Sequence, residues 1–262
     1  MNALLESVLA DLAAEGDRLE SAVVRLDEAG WHAPTPAVGW DVATVVAHLA
    51  WTDEAATTAA TDKEAWDALL LQALEDPEHA VDHGAQAAAA APVDELLARW
   101  RAARGRLAEV LRSYPEGQRM PWYGPPMSAT SMATARFMET WAHGLDVYAA
   151  LGVEPEVSDR IKHVAHLGVR TRNFAFAVRG EPAPPEEFVV SLIAPSGEVW
   201  TWGPRDAVQT VTGPAYDFCL LVTQRIHRAD TALVAVGEDA DRWLDIAQCF
   251  AGPSGEGRPP RG

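Results

Sequence analysis

The sequence predicts an α+β chain: an N-terminal up-down helical bundle over about residues 1–180, a small α/β domain over about 185–252, and a disordered tail over 253–262. Three observations predict it. Apolar residues recur at helical spacing through the first three-fifths of the chain. After the proline-rich run EPAPPEE (181–187), short β-type runs joined by turn residues replace them. The last eleven residues, GPSGEGRPPRG, are rich in Gly, Pro and charge and offer nothing to bury.

The elements follow in order. Leu4, Leu5, Val8, Leu9 and Leu12 form one helical stripe, continued by Leu19, Val23, Val24 and Leu26, until Gly30 and the Pro34/Pro36 pair break it. Asp41 is a natural N-cap for a second helix through VATVVAHLAWTDEAATTAA. A shorter helix fits 63–75, ending before Pro77. The stretch PEHAVDHGAQAAAAAP (77–92) has helix-favouring alanines but little to bury, so its state stays open. Pro92, with Asp94 and Glu95 in the first turn, opens a helix to about Ser113. Residues 114–128, YPEGQRMPWYGPPMS, read as a loop. Helices over 129–150, stopped by Gly152, and over 157–178, stopped by Gly180, complete the bundle. In the second domain FVVSLIAP and EVWTWG form a hairpin about Ser196-Gly197. AVQTVTG is a strand, PAYDFCLLVTQRI a helix, TALVAVG a strand and DADRWLDIAQCF a final helix.

Bulk properties exclude several functions. With 21 Lys plus Arg against 38 Asp plus Glu, the net charge is −17. Nucleic-acid binding through phosphates needs a basic surface, and so does docking on an anionic membrane. No run approaches the ~20 apolar residues of a membrane span. The N-terminus lacks the basic start of a signal peptide. The only cysteines, Cys219 and Cys249, sit in apolar contexts and read as small buried hydrophobes. The expectation is a reduced, cytoplasmic protein, a monomer or homodimer, acting on a small molecule.

Chemistry concentrates in RFMETWAHGLDVY. Glu139 and His143 stand at i and i+4, which puts both on one helical face, about 5–6 Å apart at Cβ. A carboxylate and an imidazole so placed can share a metal ion, as bundles arrange with residues on facing helices. His48, amid the apolar VVAHLAW, is the candidate third ligand, because a buried imidazole needs a partner. Two histidines and a carboxylate suit zinc or another divalent transition metal and leave coordination positions open. The spacing alone is equally compatible with an exposed helical ion pair.

The segments TPAVGWDVATVVAHLAWTDEAA and ARFMETWAHGLDVYAALG together resemble the DinB-like metal-binding four-helix bundles. More narrowly they resemble the mycothiol-dependent maleylpyruvate isomerase family. VSLIAPSGEVWTWG and TVTGPAYDFCLLVTQR resemble the smaller, sterol-carrier-like C-terminal domain of such proteins. The resemblance implies that His48, Glu139 and His143 bind zinc, with mycothiol as a possible co-substrate in an isomerase or S-transferase reaction on an electrophilic or carboxylate-bearing metabolite. Two alternatives stay open: a metal-dependent hydrolase, lyase or cyclase without thiol, and a non-catalytic, metal-stabilised ligand-binding module.

Other residues are supporting candidates. Asp146, three after His143, is placed to accept the second ring N–H of a metal-bound histidine. Arg136 is placed to offer a guanidinium fork to a substrate carboxylate, or else to make a salt bridge. Trp40, Trp51 and Trp141 read as core, and Trp122 and Tyr123, among prolines, as lid candidates. His163, His166, Arg170 and Arg172 share one helix, facing an anionic substrate, a domain interface or solvent. His79 and His83 read as solvated, and His32 and His227 show no partner pattern.

Overall fold

The computed structural model describes residues 2–77, 79–252, 254, 255 and 257–261. The chain divides into two compact units, Met1–Pro155 and Glu156–Gly262. The boundary therefore lies some 25 residues earlier than the sequence suggests. The predicted helix over 157–178 belongs to the second unit, where it packs on that unit's own helices.

The first unit is helical: α1 (Ala3–Val23), α2 (Glu28–Trp31), α3 (Val42–Thr61), α4 (Lys63–Glu75), α5 (Ala80–Ala89), α6 (Val93–Ser113) and α7 (Ala129–Leu151). The ambiguous stretch 77–92 thus supplies a helix, α5. Two devices fix the long helices. Asp41 Oδ1 accepts the Thr44 backbone N–H at 2.8 Å and so caps α3. Gly152 ends α7 with φ 65°, a left-handed conformation that costs glycine nothing. α1 packs on α7 and α3 on α6, while α3 also meets α4, α5 and α7. α3 is consequently buried on most of its faces, with Val42, Val45, Val46, Leu49 and Ala56 sealed. Leu96, Trp100, Leu107 and Leu111 of α6 and Phe137 and Val147 of α7 close the core. Each such large side chain contributes about 1.5–3 kcal/mol on burial. Polar residues on α3 are carried into this core with it.

The second unit holds α8 (Lys162–Arg170), α9 (Arg172–Val178), β1 (Phe188–Ile193), β2 (Val199–Trp202), β3 (Gln209–Pro214), α10 (Ala215–Val222), β4 (Val234–Val236) and α11 (Glu238–Ile246). The single expected helix is two, broken at Thr171, where the backbone leaves helical values at φ −95° and ψ 8°. The sheet has the order β2-β1-β3-β4. β1 and β2 form the expected hairpin, Val190 opposite Trp202. β1 runs parallel to β3, Phe188 opposite Gln209, and β4 closes the edge antiparallel. Trp243 of α11 sits edge-on to both Phe188 and Phe218, at 5.8 and 5.7 Å between ring centres. The tail, expected to be disordered, makes hydrogen bonds at two described positions: the Gly255 carbonyl accepts from Arg179, and the Arg261 N–H donates to Asp230, each at 3.0 Å. Among the described residues no helix is long and apolar enough to cross a membrane.

Candidate metal centre

α7 presents Glu139, His143 and Asp146 on one face, and α3 brings His48 to meet them. His48 is buried, 6% exposed, in the middle of its helix. Its Nε2 stands 3.6 Å from Glu139 Oε2, and His143 Nε2 stands 3.2 Å from the same oxygen. One donor atom from each of the three residues lies within 4.8 Å of the others, the only such trio of His, Cys or acidic groups among the described residues.

The local chemistry fits a metal. Neither ring nitrogen of His48 has a hydrogen-bond partner although both are buried, and 3.6 Å is too long for a hydrogen bond. An orphaned buried polar group is costly and calls for an explanation. Donor atoms on one tetrahedral zinc, at bond lengths of ~2.0–2.2 Å, stand ~3.4 Å apart. The 3.2 and 3.6 Å separations bracket that spacing. Protonation states agree. Burial pushes His48 down to about 4, only partly offset by Glu139, so its ring is neutral at pH 7 with a lone pair to give. Burial would raise the Glu139 carboxyl, but the two imidazoles hold it well below the usual range. Two histidines and one carboxylate make three protein ligands, a set that leaves room for a further one.

Around the trio, Asp146 is sealed, with its Oδ2 3.7 Å from His143 Nδ1. Trp40, just ahead of the α3 cap, lies nearly parallel to the His143 ring, 11° apart at 5.6 Å, and tilted over His48 at 5.1 Å. Trp51 flanks His48 at 6.2 Å. Its indole also walls a cleft of about 360 Å³ between α4 and α5, with Leu69, Gln72, Glu75 and His83 among the lining.

Several expectations change. Arg136 is only partly engaged, since its Nη2 is buried without a hydrogen-bond partner. Its Nε donates to Asp53 Oδ1 at 2.8 Å, and the pair is almost wholly buried between α7 and α3. Burial pushes the Asp53 carboxyl up while Arg136 opposes it. Trp122 and Tyr123, rather than forming a free lid, pack on buried Trp66 at 5.7 and 4.9 Å. Trp141 is core as expected. His163, His166, Arg170 and Arg172 lie in the second unit, where His166 accepts from the Trp202 indole at 3.2 Å and Arg172 covers the Phe188 ring. His79 and His83 are exposed beside Asp76. His32 pairs with Asp41 at 2.8 Å, and His227 accepts from the Ala229 N–H. Cys219 and Cys249 are buried, and burial raises the Cys219 thiol well above its ordinary range.

Sequence reasoning missed Asp53 and Asp82. The signal for Asp53 was its place on an otherwise buried helical face, one turn after Leu49 and three residues before Ala56. The signal for Asp82 was indirect: a buried tryptophan needs an acceptor for its N–H, and the Trp40 Nε1–H donates to Asp82 Oδ1 at 2.9 Å.

Comparison with known proteins gives the chain's family and fold. Residues 12–148, which hold the whole trio, match the family model described as the mycothiol maleylpyruvate isomerase N-terminal domain. Residues 184–236, where the sequence suggested a sterol-carrier-like domain, match the model described as wyosine base formation. Two proteins of Mycobacterium tuberculosis described as uncharacterized, from strains CDC 1551 / Oshkosh and ATCC 25618 / H37Rv, are each 53% identical over 250 residues, 95% of this chain and 97% of theirs. Among solved structures, the mycothiol-dependent maleylpyruvate isomerase matches with a TM-score of 0.57, and a histidine-to-alanine mutant of that enzyme with 0.60. Each is 17% identical and covers 90% of this chain and 95% of its own, a likeness that shows the fold. The chain belongs to the mycothiol maleylpyruvate isomerase N-terminal domain family.

Proposed function

We propose that the protein is a divalent-metal-dependent enzyme, zinc being the best-suited ion, that uses mycothiol as co-substrate in an isomerase or S-transferase reaction on a small electrophilic or carboxylate-bearing metabolite. The observation that carries this reading is the orphaned imidazole of His48, facing Glu139 Oε2 with His143 on the other side. Family membership supports the thiol and the isomerase class.

His48, Glu139 and His143 would hold the ion. When bound, such an ion supplies Lewis acidity and favours a coordinated thiol as its thiolate. The chain's own residues do the rest. His48 stays neutral and Glu139 ionised at pH 7, so these two donors are ready without proton loss. Asp146 faces the second nitrogen of His143 at 3.7 Å, beyond hydrogen-bond reach but near enough for its carboxylate to favour that ring's orientation. Asp53 and Arg136 tie α3 to α7 inside the same core and hold the ligand-bearing helices in register. Cys219 and Cys249 are both buried, and burial raises the Cys219 thiol well above its ordinary range, which favours a nucleophilic thiol from outside the chain. The cleft beside Trp51 has room for the non-reacting part of a small substrate. Isomerisation then follows from thiolate addition to an activated double bond, rotation about the resulting single bond in the stabilised carbanion and expulsion of the same thiolate.

The test is turnover of maleylpyruvate, and of a panel of other activated alkenes, by zinc-loaded protein with mycothiol, followed by NMR. The expected result is isomer or S-adduct that requires both thiol and metal and is lost in His48→Ala. Formation of neither product from any electrophile would overturn the thiol reading.

A further inference from the structure

We propose that α5 is the positioning helix of the metal centre, acting through two tryptophans: Asp82 holds Trp40 over His143, and Gly84 seats Trp51 beside His48. The proposal rests on reading His48, Glu139 and His143 as the ligand set.

The geometry is specific. Trp40 lies in the loop before α3, its backbone fixed by hydrogen bonds to Thr35 and Ala37. Those bonds place the residue but not the indole. The indole is fixed at its far end, where Nε1–H donates to Asp82 Oδ1 at 2.9 Å. So held, it stacks on His143 and touches His48, covering the two rings on one side. Two residues along α5, Gly84 lies against the Trp51 indole. A Cβ at this glycine would stand 3.2 Å from Cε2 and Cζ2 of that ring, closer than ordinary contact. The missing side chain therefore lets α5 approach Trp51, which in turn flanks His48. One short helix thus sets both aromatic walls of the trio. Neither Asp82 nor Gly84 meets a ligand, so their influence passes through the indoles.

A purely structural explanation is available for Asp82, since a carboxylate in the first turn of a helix is favourable for its charge alone. Asp82→Asn separates the two, because it removes the charge and keeps an acceptor for the indole. Zinc affinity, by competition with a chelator, is the first readout. Outer partners of metal ligands are worth 10–100-fold in affinity. Asp82→Ala, Trp40→Phe and Gly84→Leu are expected to weaken zinc about tenfold, with Asp82→Asn within about threefold of wild type. The Asp82→Ala/Trp40→Phe double variant is expected to lose no more than either single one, because both break the same bond.

The second readout uses metal-free protein and is independent of metal binding and turnover. The ring current of stacked Trp40 shifts the His143 imidazole protons upfield. That shift is expected to persist in Asp82→Asn and to collapse in Asp82→Ala. Wild-type protein that takes up no zinc would defeat the metal reading, and the imidazole shifts would still decide whether α5 positions the ring. Unchanged shifts in Asp82→Ala, or an Asp82→Asn variant as impaired as Asp82→Ala, would overturn the proposal.

Discussion

Two groups in the first unit each combine two histidines with one carboxylate and contain an i, i+4 pair. Glu139 and His143 stand at i and i+4 on α7 and meet His48 of α3. His79 and His83 stand at i and i+4 and meet Asp76. Their surroundings differ. Asp76, His79 and His83 have side chains 47–67% exposed, and His79 Nδ1 already lies 3.0 Å from an Asp76 oxygen. Water completes whatever the protein leaves unmet there, so the arrangement needs nothing more. His48 is sealed with both ring nitrogens unmet. The difference teaches that convergence of ligand atoms around a buried, unanswered imidazole, rather than spacing alone, marks a candidate site.

The largest expected effect probes the buried framework that only the first group has. Arg136→Leu leaves Asp53 buried without its partner and is expected to cost about 3–5 kcal/mol, read as a lower urea midpoint at unchanged slope. Replacing both, with Asp53→Leu and Arg136→Met, is expected to recover most of that loss. A single-variant loss below about 1 kcal/mol would break the comparison, because Asp53 and Arg136 would then behave like surface charges.

The second prediction concerns acid. His48 is held at about 4 in the folded chain against an ordinary 6.5. The unfolded chain therefore binds the extra proton first as pH falls. The contribution of a neutral His48 is fully present above pH 6.5 and is lost as pH falls toward 4, on the order of 3 kcal/mol for metal-free protein. Thermal melts across this window are expected to show that limb, to flatten it in His48→Ala and to retain it in His83→Ala. An identical limb in all three proteins would assign the acid sensitivity elsewhere.

How much of this was legible follows from the same contrast. The helices α1, α3, α6 and α7 announced themselves through apolar period and caps, and the β1–β2 hairpin through Ser196-Gly197. The ligand trio was reachable because His48 interrupts an apolar run, but its convergence depends on α3 and α7 packing together. Three readings needed tertiary structure. Arg136 looked available until Asp53, 83 positions earlier, engaged its Nε. The break at Thr171 is a local departure of the backbone to φ −95° and ψ 8°, which helical periodicity does not register. α5 looked unsupported because its contribution lies in Asp82 and Gly84, which serve tryptophans distant in sequence rather than an apolar stripe of its own.

Two smaller effects sharpen the comparison. Asp41→Ala removes the α3 cap and is expected to cost about 1 kcal/mol, with Asp41→Asn recovering most of it in the same melts. His83→Ala is expected to change stability by less than about 0.5 kcal/mol, as for an exposed residue without a buried partner.

The most direct measurement is metal stoichiometry and affinity across the two groups. Elemental analysis and chelator competition would be run on wild-type protein, His48→Ala and the His79→Ala/His83→Ala pair. The account predicts one divalent ion per chain in wild type and in the paired variant, and affinity reduced more than about a hundredfold in His48→Ala, beyond what loss of an outer partner costs. Protein that retains no ion, or that loses it with His79 and His83 while His48→Ala keeps it, would contradict the account.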